Sequence, residues 1–224
     1  MNNYLFPVYA VLIGFVLVKL SRDKPMRHIK LLLAFSGAFL LSLTVFELLP
    51  RVYEKLDAKL TGLLIMSGIL LQIFLEFFSK GAEHGHIHLH KHEKTFPWLL
   101  FLSLCLHAFL EGFPIHQEND MVYGVLIHKI PIAVLIISFL IQSKFNNLTI
   151  AFAIIIFSAM TPIGTWISNS LYLSDQLIGI IDAIVIGIFF HISTIILFES
   201  SEGHRFNLQK IVVIVSAVAI AYFV

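Results

Sequence analysis

Two imidazoles and a carboxylate stand where an apolar chain has least reason to carry them. His107 and Glu111 fall within the apolar run 96–115, and His128 and Lys129 within the run 121–141. An ionisable group at the centre of a membrane-length segment costs roughly 2.5–3.5 kcal/mol on insertion scales, so such groups mark function. His107 and Glu111 are four residues apart, which on a helix stacks them on one face. An imidazole nitrogen and a carboxylate oxygen there, met by an imidazole from a neighbouring helix, make a ligand set for a divalent transition metal. Depth agrees. With a short outer turn between Ile115 and Met121, His107 lies eight residues below it and His128 seven. At ~1.5 Å per residue both sit ~10–12 Å beneath the same surface. Pro131 follows His128 by three, and is expected to bend that helix and free the carbonyl four residues back. Without a metal, the same histidines would serve as interhelical hydrogen-bonding residues.

The elements that must position these groups are membrane spans. The 224 residues are 58% hydrophobic and 13% charged, with a mean hydropathy of +0.90. Soluble domains run nearer 25% charged, so the expected class is an all-α polytopic membrane protein. The net charge of +1 gives no footing for nucleic acid, and none is expected as a partner. A single cysteine, Cys105, excludes an intrachain disulfide and a multi-thiolate zinc site. No charged n-region precedes a small-residue cleavage site, so the N-terminal run reads as a first span.

Eight apolar runs lie near 5–19, 29–49, 60–78, 96–115, 121–141, 148–167, 177–198 and 211–224. Each approaches the ~17–25 residues that cross ~30 Å of hydrocarbon, the first and last being short. Backbone groups in lipid must be satisfied internally, so the runs are expected to be transmembrane helices forming one domain over 1–224. Lys19, Arg22, Lys24, Arg27, Lys30, Lys80, Lys91, Lys94, Lys144, Arg205 and Lys210, 11 of the 15 lysines and arginines, fall in alternate loops. The positive-inside rule places those loops in the cytoplasm and both termini outside.

The loop between the third and fourth spans, 79–95, carries His84, His86, His88, His90 and His92. Histidine at every second position lets a flexible chain wrap an ion with any three or four, which suits catching or sensing metal. Other polar residues within spans suggest a pathway: Glu47 at the outer end of the second, and Asp182 and His191 in the seventh. Thr161, Pro162 and Gly164 are expected to break the sixth span and permit close helix approach. Glu76, at the inner end of the third, reads as an interfacial residue.

On these residues the chain resembles the ZIP (Zrt/Irt-like) family of divalent-metal transporters. HAFLEG (His107–Gly112) is similar to the family's motif in span 4, and HKIPIA (His128–Ala133) to that in span 5. FSGAFLLSLTVFELLP (Phe35–Pro50), TPIG (Thr161–Gly164) and DAIVIGIFF (Asp182–Phe190) resemble the patterns of spans 2, 6 and 7. The resemblance implies an inverted-repeat bundle of eight helices, usually a homodimer. It also implies an elevator-type movement of spans 1, 4, 5 and 6 against spans 2, 3, 7 and 8. Many members hold two metals side by side. Here Ala108, Lys129 and Ile132 replace groups that would ligate the second, and the Lys129 ammonium takes its space. His191 replaces a tyrosine common in span 7 and could be an extra ligand.

The expected function is therefore import of a divalent metal through one intramembrane site of His107, Glu111 and His128, with Glu47, Lys129, Asp182 and His191 as pathway or auxiliary residues. Zinc leads, with iron(II) and manganese sharing the ligand set. The metal is cargo; no resident cofactor and no enzymatic activity are expected, and the location is the plasma membrane. The rival is an intramembrane zinc hydrolase using His107, His128, His191, Asp182 and Ser193, against which stands the lack of an HExxH motif.

Overall fold

Apolar runs of this length, with few charges to hold in water, fold as helices throughout. The structure is a computed structural model that describes residues 5–21, 29–79, 96–115, 120–143, 145–171, 173–199 and 208–224. The helices are α1 (Phe6–Leu20), α2 (Ile29–Lys55), α3 (Ala58–Ser79), α4 (Trp98–Leu110), α5 (Met121–Gln142), α6 (Asn147–Ser170), α7 (Asp175–Glu199) and α8 (Leu208–Phe223). No strand occurs among the described residues. Five of these helices are long and apolar enough to cross a membrane, and α1, α4 and α8 are shorter apolar helices. The protein is an all-α polytopic membrane protein.

Local chemistry sets the helix starts. Asp57 Oδ1 accepts from the amides of Lys59 and Leu60 at 3.0 Å, satisfying donors that the first turn of α3 leaves open. Asn146 Oδ1 does the same for Thr149 at the start of α6, at 2.7 Å. Periodicity then divides each helix into faces. On α3, Leu63, Met66, Leu70, Phe74 and Phe77 recur every three or four residues and are exposed, as a lipid-facing stripe requires. The opposite stripe, Thr61, Gly68, Gln72 and Leu75, turns inward.

The helices can be divided into two sets, joined by an α2–α5 contact more extensive than those α6 makes within the first. In one, α1 lies against α5 and α6, and α4 against α6; in the other, α2 lies against α7 and α8, and α3 against α7. The sets meet where α2 packs on α5 and α3 on α4. Two crossings bring backbones nearly into contact. A Cβ on Gly112 would overlap the Thr161 carbonyl oxygen, and one on Gly164 the Phe109 carbonyl oxygen. Gly68 and Gly187 meet in the same way between α3 and α7. Only glycine admits such an approach.

Three features differ from expectation. The fourth span ends its helix at Leu110, five residues before Ile115, and continues through Glu111–Pro114 in turns. Gly112 amide bonds the Phe109 carbonyl at 3.2 Å and Phe113 amide that of Leu110 at 3.1 Å. Pro114 disfavours helical backbone at Phe113, and the Gly112 crossing holds the turn against α6. The sixth span is not broken: α6 runs unbroken through Pro162, as α5 does through Pro131. Within α2, Thr44–Leu48 forms a π-helical turn, closed by Leu49 amide on the Thr44 carbonyl. Pro50 follows directly and cannot donate to the ladder, which makes this the weak point of the helix.

Candidate metal centre

α4 delivers His107 in its last turn and Glu111 at its cap, while α5 delivers His128 seven residues past its start at Met121. Glu111 amide still bonds the His107 carbonyl at 3.0 Å, so the two side chains keep the one-turn stacking that their spacing demands. All three are buried: His107 and Glu111 are 2% exposed and His128 1%. One ligand atom from each lies within 4.8 Å of the others, and among the described residues this is the group of histidines and carboxylates that could hold a metal. The two rings stand edge to face with centroids 6.4 Å apart. His107 Nε2 is 3.6 Å from Glu111 Oε2. Neighbouring ligands in a tetrahedral zinc shell lie about 3.3 Å apart, as bond lengths near 2.0–2.1 Å require. The set is thus somewhat open and would close by small side-chain rotations around an ion.

Lys129 completes the electrostatics. Its side chain is 1% exposed, and its Nζ lies 2.5 Å from Glu111 Oε1. A buried ammonium needs further partners, and it has two: Thr161 Oγ1 at 2.7 Å and the face of Phe157, 4.6 Å to the ring centroid. Thr161 has one hydroxyl proton. The Ala108 carbonyl at 2.7 Å is a better acceptor for it than Glu111 Oε1 at 3.2 Å, leaving the oxygen lone pairs for Lys129. One carboxylate oxygen is therefore engaged by the lysine while the other faces His107. With neutral imidazoles the site carries no net charge: one carboxylate cancels one ammonium. Ala108 and Ile132, where further ligands would be needed for a second ion, are buried and apolar.

The remaining sequence candidates lie elsewhere. Glu47 sits in the π turn of α2; its Oε2 accepts from the Asp120 amide at 3.1 Å, at the N-terminus of α5, and is 3.9 Å from Arg51. It thus links α2 to the start of α5. Asp182 is 4% exposed near the N-terminal end of α7, within the field of Lys55 and Arg51. His191, expected as an auxiliary ligand, is not in the group with His107: its Nε2 is 2.6 Å from Glu76 Oε2. Glu76 is correspondingly more than an interfacial residue. His84, His86, His88, His90 and His92 lie outside the described residues.

Two residues escape sequence reasoning, one of them at this centre. Thr161 reads as a small residue for close packing, yet it holds Lys129 in place. Gln72, a glutamine in the middle of an apolar run, is fully buried, and its Nε2 and Oε1 have no hydrogen-bond partner among the described residues. The cost of a polar group at that depth was the signal that could have found it.

A family model described as the ZIP zinc transporter matches residues 79–223, which include every member of this centre. Zinc transporter ZIP1 of Danio rerio is 28% identical over 114 residues, 48% of this chain and 38% of that protein. Zinc transporter ZIP1 of Takifugu rubripes is 30% identical over 113 residues, 47% of this chain and 37% of that protein. The match thus spans under two-fifths of the length of these curated relatives. The family is one of transporters and not of enzymes. By its matched span and the residues in it, this chain belongs to the ZIP zinc transporter family.

Proposed function

We propose that this chain moves divalent metal ions, zinc foremost, through a single intramembrane site made by His107, Glu111 and His128, and delivers them to the cytoplasm. The observation that carries the reading is the convergence of these three side chains, buried from two adjacent helices, with ligand atoms within 4.8 Å. Two imidazole nitrogens and one carboxylate oxygen, with no thiolate, bind zinc, iron(II) or manganese with the moderate affinity that release requires. An ion of charge two enters a site that is otherwise neutral. Lys129 holds one oxygen of Glu111 as a second ion would, so one ion at this site is the stoichiometry.

The two helix sets support an elevator movement. α4 and α5, which bear the ligands, pack with α1 and α6, while α2, α3, α7 and α8 form the other set. Sliding one set along the α2–α5 and α3–α4 contacts would carry the site across the membrane without taking it apart. The distribution of lysine and arginine supports both termini outside; the location is the plasma membrane and the working unit a homodimer. The hydrolase reading needs His191 beside the other two histidines, whereas His191 is engaged by Glu76.

Zinc uptake into proteoliposomes tests the reading. His107→Ala and His128→Ala should abolish flux while the protein still inserts and elutes as the native species. Uptake at the wild-type rate by both variants would refute it.

A further inference from the structure

We infer that Gln72, Glu76 and His191 form a second cation stop, on the cytoplasmic side of the first and built on the helices that do not carry it; the inference rests on the transport reading above. Its chemistry is an imidazole nitrogen, a carboxylate oxygen and an amide oxygen, a set for a borderline divalent cation.

The placement follows from three contacts. Gly68 of α3 meets Ile184 and Gly187 of α7, fixing where the two helices touch. Two turns along α3 and one along α7, Glu76 Oε2 meets His191 Nε2 at 2.6 Å. Gln72 lies one turn past Gly68 and one turn before Glu76, on the same face, between the glycine crossing and the ion pair. Its amide is fully buried, and neither polar atom has a hydrogen-bond partner among the described residues. A buried amide left without partners is disfavoured unless something else uses it. A cation held by Glu76 and His191 would give the Gln72 oxygen that use.

Depth makes the stop reachable. The Leu75 carbonyl accepts from Ser103 Oγ of α4 at 2.6 Å, and successive spans alternate in direction. Three residues back from Leu75 is Gln72; three or four onward from Ser103 are Leu106 and His107. Gln72 thus lies within about one residue rise, ~1.5 Å, of the level of His107. Glu76 lies ~6 Å further toward the cytoplasm. Exposure rises along this line: the side chains of His107 and Glu111 are 3% exposed, those of His191 and Glu76 12% and 24%. An ion leaving the first site would pass from α4 to α3, meeting the Gln72 oxygen before Glu76 and His191.

Cadmium binding to full-length protein in detergent micelles tests this. In a Cys105→Ser background, Gln72→Cys supplies one thiol, so the thiolate-to-cadmium absorption band reports on this position alone and is blind to the histidine loop. The band is expected on titration with Cd²⁺, at least about tenfold weaker in affinity when His191→Leu or Glu76→Gln is added, and unchanged by His107→Ala. No band, or a band indifferent to both His191 and Glu76, overturns the stop. In the native background Gln72→Leu should melt no lower than wild type yet take up zinc about tenfold more slowly. Normal uptake, or a lower melting temperature showing that Gln72 is structural, also overturns it. If the unmodified protein moves no metal, the transport reading fails, and the cadmium band still decides the stop.

Discussion

Replacing Glu111 removes one end of a buried ion pair and leaves the other in place. Lys129 Nζ lies 2.5 Å from Glu111 Oε1, and both side chains are at most 3% exposed. At an effective dielectric near 20, unit charges at that separation attract by about 7 kcal/mol. Desolvation costs several kcal/mol per ion, so the intact pair contributes little net stability. Loss of one partner is another matter. In Glu111→Leu the ammonium keeps only Thr161 and the Phe157 ring, and the expected destabilisation is about 3–5 kcal/mol. Lys129→Met strands the carboxylate and should cost a similar amount. Glu111→Leu with Lys129→Met replaces both charges by apolar groups of like volume, and should recover to within about 1 kcal/mol of wild type. Reversible unfolding in mixed micelles, read by helical circular dichroism, measures all four corners of the cycle. Zinc uptake separates scaffold from ligand: the double variant should be stable and still inactive. Losses below about 1 kcal/mol in the single variants, or a double variant whose loss is their sum, would refute a desolvated pair.

Gly112→Ala should press its new methyl into the Thr161 carbonyl, forcing α4 from α6 at the cost of about 1–3 kcal/mol and much of the uptake, because Glu111 is the adjacent residue. Unfolding and flux assays on that variant check it; Gly62→Ala, where nothing lies near, is the control. Deletion of residues 80–95 in a His191→Leu background should leave protein that binds one zinc per chain by elemental analysis, and two would overturn the single-ion site. Thr161→Val removes an acceptor from Lys129 and a proton from the Ala108 carbonyl, for an expected loss of about 1–3 kcal/mol in the same unfolding assay. Glu47→Gln weakens the link between the π turn and the start of α5. With both side chains of the Glu47–Arg51 pair part-exposed, the stability change should stay below about 1 kcal/mol by thermal melting.

Much of this protein was legible in its residues because lipid leaves a chain so few choices. Apolar runs of span length had to become helices, since no water is present to satisfy the backbone. The four-residue step from His107 to Glu111 had to stack them, and charges placed that deep had to mark a site. Helix ends and neighbours were another matter, because they depend on contacts between residues far apart in the chain. α4 stops at Leu110 where Pro114 disfavours helix and Gly112 meets α6, some fifty residues away. Pro162 leaves α6 unbroken, and Pro50 coincides with a π turn that hands Glu47 to α5. His191 answers Glu76 and not His107, because α3 and α7 approach through glycines that periodicity alone does not pair. Sequence by itself determined which groups are too costly to be idle. Only the tertiary structure decided which of them meet, since that depends on helix rotation and crossing, and these are set by the shapes of both partners at once.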